Sequence, residues 1–465
     1  MNKNICLFLL LIIIAAACSK TTFLDAKPDQ SLVVPQTLEN FQAILDNDHE
    51  MNGADWGQGL VPQLGESGAD NYYLSDDFYN QVIQQQERNV YTWEKDIYTG
   101  DVIYDWNIPY RAIFNANVVI EGISKLSITE EQQETYDRLM GSALFYRAHC
   151  FYQLAQVFAP PYQTTTAATD WGIPLRLTGD VNEKPVRATL KDTYEKIISD
   201  LNAAGQLLPA TTTYKTRPGQ VAVYALLSRI YQTMQQYDNA LHYAEKSLAI
   251  QDDLMDYNDF NTDDMFPFPV GFNKEVIFHC SLVGWSSRMP PIMPYIGGIP
   301  PSFYDLFDED DLRKSLFFSD VGFLTFTGSY DGGSGGGDLF SGLATDEIYL
   351  IKAECLARSG QVQASMDALH TLMTKRWKTG KFAPTDVANA QEALQKVLAE
   401  RRKELCFRGL RWTDLRRLNL EGAGITLTRT VNGITFTLPP NDPRYTYPIP
   451  SQVMGFHPDM PQNPR

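Results

Sequence analysis

The sequence predicts a mainly α fold: a tetratricopeptide-like scaffold of helix pairs, with irregular loops and a few short strands on one face. Three observations carry that reading. The stretch RPGQVAVYALLSRIYQTMQQYDNALHYAEKSLAI gives one helix from Pro218 to Met234 and another from Asp238 to Ile250. Its Tyr224, Leu227, Ser228, Tyr231, Tyr237, Ala240 and Ala244 fall at tetratricopeptide spacing, in which small residues let two antiparallel helices close on each other. A looser copy, EIYLIKAECLARSGQVQASMDALHTLMTKR, puts Tyr349, Ala353, Leu356, Gly360, Ser365 and Leu369 in the same places. Between Ile108 and Pro209, apolar residues recur at helical spacing in successive runs.

In chain order, Lys3 and the 13-residue apolar run from Ile5 to Ala17 form a secretory signal too short to span a membrane. Small residues, Ala15 to Ala17, lead directly to Cys18, so residues 1–17 read as a lipoprotein signal peptide and Cys18 as the lipidated first residue. A helix is expected from Thr37 to Leu45, with Leu38, Phe41, Ile44 and Leu45 on one face. From Met51 to Trp106 the chain is loop-and-short-helix material rich in Gly, Asp, Asn, Trp and Tyr. PYRAIFNANVVIEGISKL and the run from Ser127 to Phe158 are helices, the second stopped by Pro160 and Pro161. Thr189 and Asp192 open the next helix as a capping box. Residues 251–346 are a mixed insertion of strand-like runs, Pro-rich loop and glycine-rich tip. Near the end, ITLTRTVNGITFTL is a hairpin turning at Asn432 and Gly433.

The stretch from Thr385 to Leu418 is dense in charge yet helical, with Thr385 as N-cap and Gly409 breaking it in two. Glu404 and Arg408 stand at i,i+4 and Arg401 and Glu404 at i,i+3. Its arginines alternate with Phe407 and Trp412, which suggests stacking and ion pairing; Arg401, Glu404, Arg411 and Asp414 are expected to form a partly buried ionic staple.

With 465 residues, 44% hydrophobic, the chain can bury a large core. Its formal charge of −17 argues against nucleic acid or anionic lipid as partners. Cys150, Cys280, Cys355 and Cys406 form no CxxC pair and read as small buried side chains.

The lipobox-like AAAC ending at Cys18, SALFYRAHCFYQLAQVFAPPY, RATLKDTYEKIISDLNAAGQLLP, the pair around Tyr224 to Leu248, YLIKAECLARSG, AERRKELCFRGLRWTDLRRL and YPIPSQVMGFHPDMPQNP stand in an order that resembles the SusD/RagB family of bacterial outer-membrane lipoproteins. The resemblance covers most of the chain. It implies a SusD-like α/α fold in which residues 18–465 form a single domain, with an N-terminal part at 18–250 and a C-terminal SusD/RagB part at 251–465. It also implies an outer-membrane nutrient-binding lipoprotein, anchored only through its N-terminal lipid and facing the cell exterior, whose partner is a SusC/RagA-like TonB-dependent porin. Family members bind oligosaccharide, in some cases peptide, and are not enzymes.

Sugar recognition needs a flat ring for the CH face of a pyranose and nearby polar groups for its hydroxyls. Tyr72, Tyr73 and Trp93, with Asp70, Asn71, Arg88 and Asn89, form one candidate group; Trp285, Tyr295 and Phe303 form a second. Enzymatic motifs fare poorly. GGSGG at 332–336 matches G-x-S-x-G only inside a glycine run, without the strand and helix of a nucleophile elbow. The six histidines show no HExxH, and Asp259, Asn261 and Asp263 start a calcium-loop pattern that Asp264 and Val270 break. No metal or other cofactor is expected. A lipid-anchored glycoside hydrolase using two carboxylates stays open as the alternative from another class, because the separation that matters there is spatial.

Overall fold

The computed structural model describes residues 35–465 except 54–57, 82, 101, 270–271, 285–297 and 331–338. The signal segment, Cys18, Trp285, Tyr295 and the glycine run at 332–336 lie outside the described residues.

Helix α1 (Leu38–Leu45) starts at Thr37, whose hydroxyl accepts from the Asn40 amide at 3.3 Å. It buries Leu38, Phe41 and Leu45, and the Phe41 ring occupies the space where a Cβ on Gly122 would stand, 2.2 Å from ring carbons. That glycine lets α1 close on α2 (Tyr104–Ile123). Next come α3 (Gln133–Phe158) and α4 (Leu190–Leu207), each packed on the helix before it. Every residue of α3 from Gly141 to Phe158 is buried, so its polar groups need internal partners. Arg147 has them: it donates to Asp200 of α4 at 2.8 and 3.0 Å and to Asn117 of α2 at 2.9 Å, tying three helices at one guanidinium.

The two helix pairs form as the spacing predicts: α5 (Gln220–Thr233) with α6 (Tyr237–Leu248), and α7 (Thr345–Arg358) with α8 (Val362–Met373). Ala240, Ala244, Ala353 and Ser365 are fully buried in the pairs, and the Ser365 hydroxyl donates to Ala353 O at 2.7 Å across the second one. α6 packs on α7, so the pairs stack directly although the insertion separates them in sequence. α9 (Ala390–Glu404) lies on α7 and α8, and α10 (Arg411–Leu420) follows the break at Gly409, whose φ is +73°.

Among the described residues the strands form four antiparallel pairs: β1 (Trp171–Pro174) with β2 (Arg187–Thr189), β3 (Val276–Phe278) with β6 (Leu343–Ala344), β4 (Phe318–Asp320) with β5 (Leu324–Phe326), and β7 (Leu427–Val431) with β8 (Ile434–Leu438). The last pair turns at Asn432 (φ +51°) and Gly433 (φ +74°), the two positive-φ positions of a type I′ hairpin.

The Thr385 to Leu418 stretch departs from expectation twice. α9 is capped by Asn389, not Thr385. Asn389 Oδ1 accepts from the Glu392 amide at 3.0 Å while Glu392 reaches back to the Ala388 amide at 2.8 Å, a reciprocal cap that Thr385 lies too far upstream to make. The four-membered staple also does not form. Arg401 does meet Asp414 at 2.9 Å, but Glu404 accepts from Arg376 at 2.7 Å and Arg313 at 3.0 Å, Arg408 pairs with Asp346, and Arg411 turns to Asp70. Apart from Arg411 and Asp70 these charges are buried, and in the interior a guanidinium is best matched by a carboxylate aimed at it from a packed neighbour, so long-range partners replace the local i,i+3 and i,i+4 ones.

Candidate functional site

The segment leading into the first predicted group is fixed from behind. Gln63 and Leu64 donate their amides to Asp105 at 2.5 and 2.9 Å, and the short helix Leu64–Gly68 lies flat on Trp412. A Cβ on Gly68 would come 2.8 Å from that indole, so the close approach requires glycine. The chain then delivers Asp70, Asn71, Tyr72 and Tyr73 in succession.

Asp70 receives Arg411 at 2.7 and 3.0 Å and Arg402 at 3.0 Å. Burial alone would raise its pKa; the two guanidiniums outweigh burial and hold it at about 2. Tyr72 is buried, donates its hydroxyl to Ser67 O at 2.6 Å, and has its phenol pushed well above the usual range by burial. Trp93 is 1% exposed and spends its indole N–H on Gly68 O at 3.0 Å. Both rings stack on Arg429, whose guanidinium carbon lies 4.0 Å from the Tyr91 centroid, 4.7 Å from Trp93 and 5.2 Å from Tyr72. Tyr73 is 42% exposed, and its backbone pairs with Gly298, the residue that follows the segment carrying Trp285 and Tyr295.

Asp70, Tyr72, Tyr73 and Trp93 therefore line one cleft of about 600 Å³, with Pro300–Ser302, Arg402 and β7 as its other walls. From the hairpin, Thr428 and Thr430 turn outward and Arg429 inward. Asn71 is fully buried and Arg88 holds the carbonyls of Tyr79 and Asn80; neither lines the cleft. Asn89 likewise caps the carbonyls of Asp96 and Ile97. Phe303, from the second predicted group, is buried beneath Arg402. Arg402, Arg429 and the two threonines escape motif reasoning. A signal for Arg429 exists nonetheless: in LTRTV it occupies the same strand register as Leu427 and Val431, so it must point into the core and find rings or carbonyls there.

A second groove, about 560 Å³, runs along α2 between Trp106, Tyr110, Phe114, Arg176, Val181 and Phe456. Phe456 is 76% exposed and Val181 72%. Sequence reasoning counted Trp106 only among scattered rings.

Two family models match the chain: the one described as "Starch-binding associating with outer membrane" over residues 22–232, and the one described as "SusD family" over residues 345–465. The chain belongs to the SusD/RagB family. A SusD-like protein P2 of Formosa agariphila is 21% identical, over 72% of this chain and 75% of that protein. A solved SusD superfamily protein from Bacteroides thetaiotaomicron superposes with a TM-score of 0.75 at 20% identity, over 92% of this chain and all of its own. A laminarin binding SusD-like protein superposes with a TM-score of 0.62 at 18% identity, over 91% and 97%. At such identities the superpositions establish the SusD fold, and the mainly α scaffold expected from the sequence is that fold. In this SusD-family chain SALFYRAHCFYQLAQVFAPPY and RATLKDTYEKIISDLNAAGQLLP fall in the first matched segment and the arginine-rich α9–α10 stretch in the second.

Proposed function

We propose that this protein is a glycan-binding lipoprotein of the outer membrane, anchored at Cys18 and exposed to the exterior. It captures oligosaccharide and delivers it to a SusC/RagA-like TonB-dependent transporter, making and breaking no bond itself. The observation that supports this reading is the roughly 600 Å³ cleft of a starch-binding-type family, where an exposed Tyr73 ring stands beside the Thr428 and Thr430 hydroxyls and a guanidinium–carboxylate pair. A ring for CH faces with fixed donors and acceptors around it is what a pyranose requires. Among the described residues lining the cleft Asp70 is the one carboxylate, and two arginines hold it ionised, which favours binding over a two-carboxylate hydrolase.

Calorimetric titration with a panel of oligosaccharides tests the reading, with product analysis of the same mixtures. Saturable binding without turnover is expected, and Tyr73→Ala or Trp285→Ala should weaken it about tenfold, the loss of one stacked ring, with the helical circular dichroism unchanged. Wild-type binding by both variants, together with loss in Phe114→Ala, would move the site to the groove along α2. Binding of peptides and no saccharide would replace glycan by peptide as the cargo. Co-purification of a large barrel protein from native membranes tests the delivery step; its absence would remove that step.

A further inference from the structure

The chain as a whole carries −17, yet the wall of the cleft has the opposite sign. The guanidiniums of Arg402 and Arg411 gather around Asp70, the one carboxylate among the described residues lining the cleft, and Arg429 lines the same cleft. Arg411 already satisfies Asp70 with two bonds, at 2.7 and 3.0 Å. Arg402 adds one more through Nη2 at 3.0 Å and keeps its Nε enclosed without a hydrogen-bond partner, above the Phe303 ring. Arg429 pairs with no acid among the described residues: its donors go to the carbonyls of Tyr91, Ser67 and Ala69.

Elsewhere in the molecule Arg229, Arg313, Arg376, Arg408 and Arg417 each face a carboxylate at 2.5–2.7 Å, while buried Arg187 and Arg416, like Arg429, donate to backbone carbonyls. The nearby Glu66 does not redress the balance. It is fully buried behind the cleft, accepts the Gly409 amide, and burial favours its neutral form.

A concave, partly desolvated wall with surplus positive charge concentrates field lines and draws anions, and a guanidinium with a free N–H forms charge-assisted bonds to them. Neutral hydroxyls gain little from such a surplus. On the reading that the cleft binds saccharide, we propose that its ligand is an anionic saccharide, with Tyr73 against a sugar face and Arg402 receiving a carboxylate or sulfate substituent. Thr428, Thr430 and Ser302 are the hydroxyls at hand for the uncharged positions.

The test uses the folded protein and matched ligand pairs that differ only in charge: oligogalacturonate against its methyl ester, and a sulfated galacto-oligosaccharide against its desulfated form. In about 50 mM NaCl the charged member of at least one pair should bind about tenfold tighter, and the gap should narrow in about 300 mM NaCl. Preference in the first pair alone assigns a carboxylate, and in the second alone a sulfate. Arg402→Gln should close the gap, and Arg402→Lys should keep part of it. Arg402 lies at the partly exposed edge of the cleft, and Asp70 keeps Arg411 in both variants. Charge-free members binding as tightly as charged ones in both pairs would overturn the anionic assignment and leave glycan capture standing. A gap that survives Arg402→Gln would overturn the role of Arg402. No saccharide bound in either form, with peptide bound instead, would overturn both readings.

Discussion

Glu66→Gln should flatten the response of stability to pH. Glu66 is fully buried in the short helix behind the cleft, where burial raises its pKa from 4.5 to about 7 and the Gly409 amide, at 3.0 Å, only partly offsets that rise. A carboxyl whose folded-state pKa is raised holds its proton more tightly in the native state. The associated stability is present below 4.5 and fades as pH climbs through about 7. Between about pH 5 and about pH 8 the loss is about 2.5 kcal/mol for this one group. A chain of this size unfolds with an entropy of about 0.9 kcal/mol/K, so the melting midpoint should move by about 3 °C. Glu275, raised to about 7 mainly by burial, acts in the same direction, so wild type should lose more than this. The glutamine variant isolates Glu66: its melting curve should match wild type near pH 5 and lie above it by about 3 °C near pH 8. Equal pH slopes in the two proteins would show that Glu66 is ionised in the native state and refute the argument.

Two further perturbations probe the frame around the cleft. Glu404→Gln withdraws the charge shared by Arg376 and Arg313, both fully buried; destabilisation of about 3–5 kcal/mol is expected in urea titration, and a change under 1 kcal/mol would refute the pairing. Gly409→Ala places a Cβ at φ +73°, 2.9 Å from Leu282 and 3.0 Å from the Ser341 hydroxyl, and should cost about 1–3 kcal/mol by the same measurement.

The helical scaffold is legible because it is written in periodicity. Ala240, Ala244, Ala353 and Ser365 announce helix pairs that close tightly, and Thr37, Thr189 and Gly409 mark ends that the structure keeps. The hairpin at Asn432 and Gly433 is equally local, since two positive-φ positions in a row admit few residues. Partner choice among charges is not local, which is why Glu404 and Arg411 went to the wrong partners on sequence grounds: Arg376 and Asp70 come from distant chain segments. The same blindness limits the site. Asp70, Tyr72, Tyr73 and Trp93 sit close enough in sequence to be grouped, but Arg402 and Arg429 reach them only through the tertiary fold, more than 300 residues away. Nor does an aromatic count separate the exposed ring of Tyr73 from the buried ring of Trp93.

The direct stacking of α6 on α7 makes the insertion between them a closed excursion: the chain leaves the scaffold and re-enters it at neighbouring points. Two rivets, Glu275 to Arg376 and Arg313 to Glu404, fasten its base to the helices. Residues 276–283 of that excursion are buried against the frame, Phe278 edge-on to Phe145, so length and composition can vary with only a logarithmic entropic penalty in its exposed loops.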